Sequence, residues 1–181
     1  MLIQRQHSAL LVIDIQNRLL PVIADHERVL AHCLWLVRLA QRLDVPMLFS
    51  EQYPQGLGHT VAELLEHAPP DAVMEKTHFS CAAEPSCMQR MAELQRKQWI
   101  VIGTEAHVCV LQTALGLHQA GQQVFVVADA VASRQVANRD LALQRLSQAG
   151  VSVVSREMVA YEWLHQAGGD EFRAINRDFL R

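Results

Sequence analysis

Cys109 stands five turn residues, Thr104 to Val108, beyond the apolar run Trp99-Ile100-Val101-Ile102-Gly103. It opens a segment with Val110, Ala114, Leu117 and Ala120 at helical spacing, stopped by Gly121. The apolar run reads as a fully buried parallel strand. A cysteine at a strand-to-helix turn meets unpaired backbone N–H groups in the positive field of a helix start, and both favour thiolate over thiol. The same N–H groups suit an oxyanion. This is the chemistry of a nucleophile. A core thiol is the competing reading, since free cysteine is commonly buried.

Two further ionisable residues end apolar runs. Asp14 closes Ala9-Leu10-Leu11-Val12-Ile13, and Lys76 closes the weaker run Ala72-Val73-Met74-Glu75. Either residue has an ordinary role as a turn cap or a solvated charge. In an open parallel sheet, however, ligands bind at the carboxyl ends of the strands. The loop after Val45–Ser50 leaves the same edge, so Glu51, Gln52 and Tyr53 are candidates to line a pocket there.

The elements that must position these residues follow from the pattern of the chain. Asp25 is a plausible N-cap for an amphipathic helix to Leu43, Pro85 starts another helix, and Asn138 caps a third. Val124–Ala128 and Val151–Val154 read as strands five and six. The tail from Met158 gives two short helices broken at Gly168-Gly169 and rich in aromatic residues. Strand and helix thus alternate six times. The expected fold is a three-layer α/β/α sandwich, Rossmann-like, with a six-stranded parallel sheet in the order 3-2-1-4-5-6 and right-handed crossovers. In that order Asp14 and Cys109 flank the switch-point crevice. Lys76 lies two strand spacings away, roughly 10 Å, and must lean inward.

The 181 residues fit one domain spanning 1–181. With a net charge of −3 and no basic stripe, nucleic acid is not an expected partner. No stretch has the length of a membrane span, and the N-terminal run, ending at Asp14, reads as a strand and not a signal peptide. Cys33, Cys81, Cys87 and Cys109 sit at unrelated spacings, which argues for reduced thiols in the cytoplasm and against a zinc knuckle. Neither a metal nor a cofactor is expected. The partners expected are a small-molecule substrate and further copies of the chain, since the apolar helices and aromatic tail suit a homo-oligomer.

Four segments together resemble the isochorismatase-like (cysteine hydrolase) superfamily: Leu10–Asn17, Glu75–Ser80, Gly103–Val110 and Asp129–Arg134. The loop Ser50-Glu51-Gln52-Tyr53-Pro54-Gln55-Gly56-Leu57-Gly58 is similar to that of the isochorismatase domain-containing branch. The resemblance implies a catalytic triad of Asp14, Lys76 and Cys109. It also implies an oxyanion hole from the N–H groups of Glu105 and Cys109, and a non-proline cis peptide at Thr104–Glu105 that aims the first of them. Substrate contacts would fall to Gln16, Glu51, Tyr53, Phe79 and His107. Nicotinamidases of the superfamily hold a metal with an aspartate and histidines in this region; here only His59 is present, which speaks against that metal and against nicotinamide. The implied activity is hydrolysis of a small amide-like C–N bond through a thioester. The alternative is a binding or scaffold protein that kept the hydrolase fold.

Overall fold

The computed structural model describes residues 1–180. Its six strands are β1 (Ser8–Ile13), β2 (Met47–Gln52), β3 (Val73–Lys76), β4 (Gln98–Thr104), β5 (Gln123–Ala132) and β6 (Ser152–Val154). They lie side by side in the expected order, β3-β2-β1-β4-β5-β6, and every pairing is parallel. The helices are α1 (His26–Arg42), the single turns α2 (Pro54–Leu57) and α3 (Ala62–Leu65), α4 (Pro85–Glu93), α5 (Leu111–Gln119), α6 (Val136–Gln148), α7 (Arg156–Leu164) and α8 (Asp170–Phe179).

Successive side chains of a strand point to opposite faces, so β1 serves two cores. Leu10 and Val12 join Leu36 and Val37 of α1, Val159 and Trp163 of α7, and Ile175 of α8. Ala9, Leu11 and Ile13 join Met91 of α4, Ala114 and Leu117 of α5, and Leu146 of α6. Every residue of β1 is buried, which is why its sequence reads as a continuous apolar run without alternation. The chain leaves β1 toward β2 on one side and pairs β4 on the other, so the crevice at their carboxyl ends is the switch point.

Several local expectations need correction. Asp25 makes no side-chain cap to α1; it adopts φ 52°, and its carboxylate pairs with Arg28 instead. The helix of Asn138 begins earlier, at Val136, because Gln135 already has extended backbone and serves as its N-cap. Strand five runs on to Ala132, its register against β4 shifting between Val101 and Gly103. The helix of Cys109 also begins earlier than its apolar spacing suggests, as a wide π-turn over Ala106–Val110 that runs into α5. Among the described residues no peptide bond is cis, so the expected cis bond at Thr104–Glu105 is not found. The chain reverses there through left-handed Glu105 (φ 54°) directly after Gly103 (φ 133°) and Thr104.

Gly103 is required for two reasons. Its φ is one that L side chains rarely adopt, and an added Cβ would lie 2.1 Å from the carbonyl oxygen of Ile13 on the neighbouring strand. Gly103→Ala should therefore cost about 3 kcal/mol or more and lower Tm by roughly 10 °C. Gly121→Ala, with nothing within 4 Å of its added Cβ, serves as the control and should cost only about 1 kcal/mol. Equal melting shifts for the two variants would contradict this account of the β1–β4 contact.

Candidate active site

The carboxyl end of β1 delivers Asp14 in a left-handed conformation (φ 52°), and Thr104 Oγ1 donates a 2.6 Å hydrogen bond to its carbonyl oxygen. Three strand exits into the crevice use this uncommon backbone region: Asp14 after β1, Tyr53 (φ 40°) after β2 and Glu105 after β4. Each is held from outside. The N–H of Tyr53 donates to the carbonyl of Lys76, and the Glu105 carboxylate takes Arg134 Nε at 2.5 Å.

Lys76 is the last residue of β3 rather than part of the following loop, and its register partner on β2 is Gln52. Its side chain, wholly buried, crosses β2 to place Nζ 2.8 Å from Asp14 Oδ2. Leaning inward over two strands is thus achieved within regular sheet geometry. The other oxygen of Asp14, Oδ1, accepts from Ser50 Oγ at 2.7 Å, and Nζ also donates to Gln52 Oε1 at 2.6 Å. Cys109 is buried at the end of this chain of contacts, its Sγ 4.0 Å from Gln52 Oε1.

The electrostatics follow from burial and these neighbours. Burial pulls the Lys76 ammonium down, but the charge of Asp14, with Cys109 and Cys81 beyond it, outweighs that effect and holds it above the usual lysine value. The Cys109 thiol is pushed far up, first by burial and then by the charge of Asp14, against the pull of Lys76. The expectation of a resting thiolate at a helix start is thereby corrected. Burial and the neighbouring carboxylate favour the neutral thiol, the direction opposite to the one a helix start suggests.

The five residues expected to touch substrate separate by strand alternation and burial. Gln16 is fully buried and ties the loop together, its amide bridging the N–H and C=O of Gln52 and the carbonyl of Gly58. Glu51 points away from the crevice; its carboxylate takes the Thr60 N–H at 2.6 Å and His59 Nδ1 at 2.9 Å. Tyr53 and Phe79 are about half exposed at the ends of β2 and β3. Tyr53 lines a cavity of about 160 Å³ with Gln55, Glu75, Lys76 and Glu84. His107 contacts Ser133 Oγ at 2.9 Å and Glu105 Oε2 at 3.4 Å, on the β5 side of the crevice.

Two residues around the pair, Ser50 and Cys81, were not singled out in the sequence, and Gln52 was read there only as a pocket candidate without a role toward the ion pair. Ser50 and Gln52 share the face of β2 that meets Asp14 and Lys76, whereas Glu51 between them faces the loop; the period of two in a strand is the signal that separates them. Cys81 is fully buried, in contact with the Cys87 thiol and within the fields of Asp14, Lys76 and Cys109. No spacing rule on the sequence indicates it.

Residues 8–158 match the isochorismatase domain family model. Isochorismatase domain-containing protein 2 of Rattus norvegicus is 35% identical over 173 residues, covering 95% of this chain and 80% of that protein. The MAR1 ribonuclease of Caenorhabditis elegans superposes with a TM-score of 0.92 at 32% identity, covering all of this chain and 93% of the other. The YcaC gene product of Escherichia coli, an octameric hydrolase of unknown specificity, superposes with a TM-score of 0.87 at 26% identity, covering 92% and 83%. An open parallel sheet in this order, with these matches along most of its length, makes the chain a member of the isochorismatase family.

Proposed function

We propose that this chain is a cysteine-dependent hydrolase of a small amide-like C–N bond, with Asp14, Lys76 and Cys109 as its catalytic triad. The observation that carries the proposal is the wholly buried ion pair of Asp14 and Lys76 against the thiol of Cys109, at the carboxyl edge of the sheet. Buried groups with displaced pKa values in a crevice, here Lys76 and Cys109, cluster at functional sites.

In this mechanism Asp14 takes the proton of the Cys109 thiol, and the thiolate attacks the substrate carbonyl carbon. The negative charge moves to the carbonyl oxygen, which the N–H groups of Glu105 and Cys109 receive; such a donor is typically worth roughly 3 kcal/mol. The C–N bond then breaks as Asp14 returns its proton to the departing nitrogen, leaving a thioester on Cys109. Water attacks the thioester with Asp14 accepting its proton, and the sulfur leaves as a thiol. Lys76 pairs with Asp14 Oδ2 before the first transfer and faces the thiolate after it. A neutral resting thiol suits this scheme, because the charge appears only when a substrate is present to receive it.

Tyr53, Phe79 and His107 are the proposed substrate contacts. Gln16 and Glu51 act behind them by fixing the loop that carries Tyr53. The half-exposed Tyr53 and Phe79, with Val136 and Leu141 on α6, supply apolar surface for a homo-oligomer, in keeping with the octameric YcaC hydrolase. The cysteines are free thiols, in keeping with a reducing compartment, and no helix among the described residues is long and apolar enough to cross a membrane.

The similarity to the MAR1 ribonuclease raises RNA cleavage as a second reading. Against it stand the net charge of −3 and the engagement of Lys76 with Asp14 and Gln52, which leaves it little reach toward a phosphate.

Screening small amides, ureides and carbamoyl compounds for ammonia release, with a labelled single-stranded RNA in parallel, tests the reading. Turnover of one of the former, reduced roughly 10⁴-fold or more in Cys109→Ala without loss of fold, is the expected result. RNA cleavage, or unchanged turnover in Cys109→Ala, would sink it. Lys76→Met should abolish the same turnover and, by stranding a buried carboxylate, cost about 3–5 kcal/mol of stability at neutral pH. The sign in pH follows from the raised pKa of Lys76. Its contribution is complete below the ordinary lysine value of 10.5 and fades as pH climbs through the higher folded-state value. Denaturant titrations of both proteins at pH 7 and pH 11 check this, the gap between them narrowing at the higher pH.

A further inference from the structure

Gln52 is held as firmly as any residue in the site. Its backbone N–H donates to Gln16 Oε1 at 2.9 Å, and its carbonyl accepts from Gln16 Nε2 at 3.1 Å. Its side-chain amide has one admissible orientation. Nε2 donates to the carbonyl of Thr77 at 2.8 Å, which only an NH₂ group can do, so Oε1 must face the Lys76 ammonium, 2.6 Å away, and the Cys109 sulfur, 4.0 Å away. The residue is buried, so water has little access to these contacts.

This arrangement matters because a lysine ammonium is a compact charge on a flexible four-carbon stem. In the resting site two acceptors fix it, Asp14 Oδ2 and Gln52 Oε1. When the Cys109 proton moves to Asp14, the carboxylate becomes neutral and its hold on the ammonium weakens at the moment the thiolate needs the charge nearby. Gln52 Oε1 is neutral throughout and does not lose strength in that step.

We propose, resting on the hydrolase reading above, that Gln52 is a positioning residue: its Oε1 receives the Cys109 S–H and so favours the neutral sulfur until the proton moves, while the same oxygen anchors the Lys76 ammonium beside Asp14. No proton passes through it and no bond to substrate is made by it.

The test reads the sulfur directly and needs no knowledge of the substrate. The rate of iodoacetamide alkylation of Cys109, located by peptide mass, is measured against pH in the wild type, Gln52→Met and Gln52→Glu, with melting curves recorded for each. Gln52→Met removes the S–H acceptor and the negative end of a dipole beside the sulfur, so the alkylation midpoint should fall by about 0.5 pH unit or more. Gln52→Glu sets an anionic oxygen in the same place, and the midpoint should rise by a similar amount. A merely structural role would loosen the site in both variants and move both midpoints together, or neither. Either of those results overturns the proposal. Should Gln52→Met not fold, Gln52→Glu decides alone: a higher midpoint supports it, and an unchanged or lower one overturns it. If no amide is turned over, the hydrolase reading fails while opposed midpoints still establish the coupling of Gln52 to the sulfur.

Discussion

The site depends on an ion pair that water does not reach. Moving one carboxylate and one ammonium out of water costs several kcal/mol per ion, and their attraction offsets this only where the remaining donors and acceptors are satisfied. Here they are. Ser50 occupies the second oxygen of Asp14, and Gln52 occupies a second proton of Lys76. Both come from one face of β2, the strand that lies between the two charges. The order of the sheet is therefore part of the chemistry. β3 must stand two places from β1, with a strand of the right polarity between them, for the pair to form at 2.8 Å.

That pair also bears on the sulfur, whose environment is set first by burial. An isolated buried thiol would simply be inert, raised by desolvation. Cys109 is raised first by burial and then by Asp14, the group proposed as its base, and Lys76 opposes the rise. In the proposed mechanism the sulfur stays protonated until a substrate carbonyl can take up the charge. The backbone is shaped to the same end: Asp14, Tyr53 and Glu105 leave their strands in a region that such residues seldom occupy. That strain is held by Thr104, the Lys76 carbonyl and Arg134.

Much of this was legible in the residues. The six apolar runs and their interleaved helices set the sheet, and the ends of three runs held the acid, the ammonium and the sulfur. Gln16, Glu51 and Tyr53 read alike as pocket residues because a loop has no period. Only the register of β2 separates Glu51, turned to Thr60 and His59, from Gln52, turned to Lys76. The upward push on the Cys109 thiol, where a helix start suggests a downward one, was hidden for a different reason. A helix field is a local property of the chain, whereas desolvation and the approach of Asp14 come from residues far away in sequence. Cys81 escaped notice on the same ground, since its neighbours Asp14 and Lys76 belong to other strands. Asn138 and Asp25 have capping side chains, but Val136 and His26 already begin their helices without them.

The central claim is that the buried pair of Asp14 and Lys76 makes Cys109 the point of covalent attack. Rapid acid quench of the protein with a substrate amide, or with p-nitrophenyl acetate in its absence, followed by peptide mass analysis, tests it most directly. The account predicts an acyl group on Cys109 that accumulates within a turnover in the wild type and is lost in Asp14→Asn and in Lys76→Met. Acylation elsewhere, or on Cys109 at the same rate in all three proteins, would contradict it.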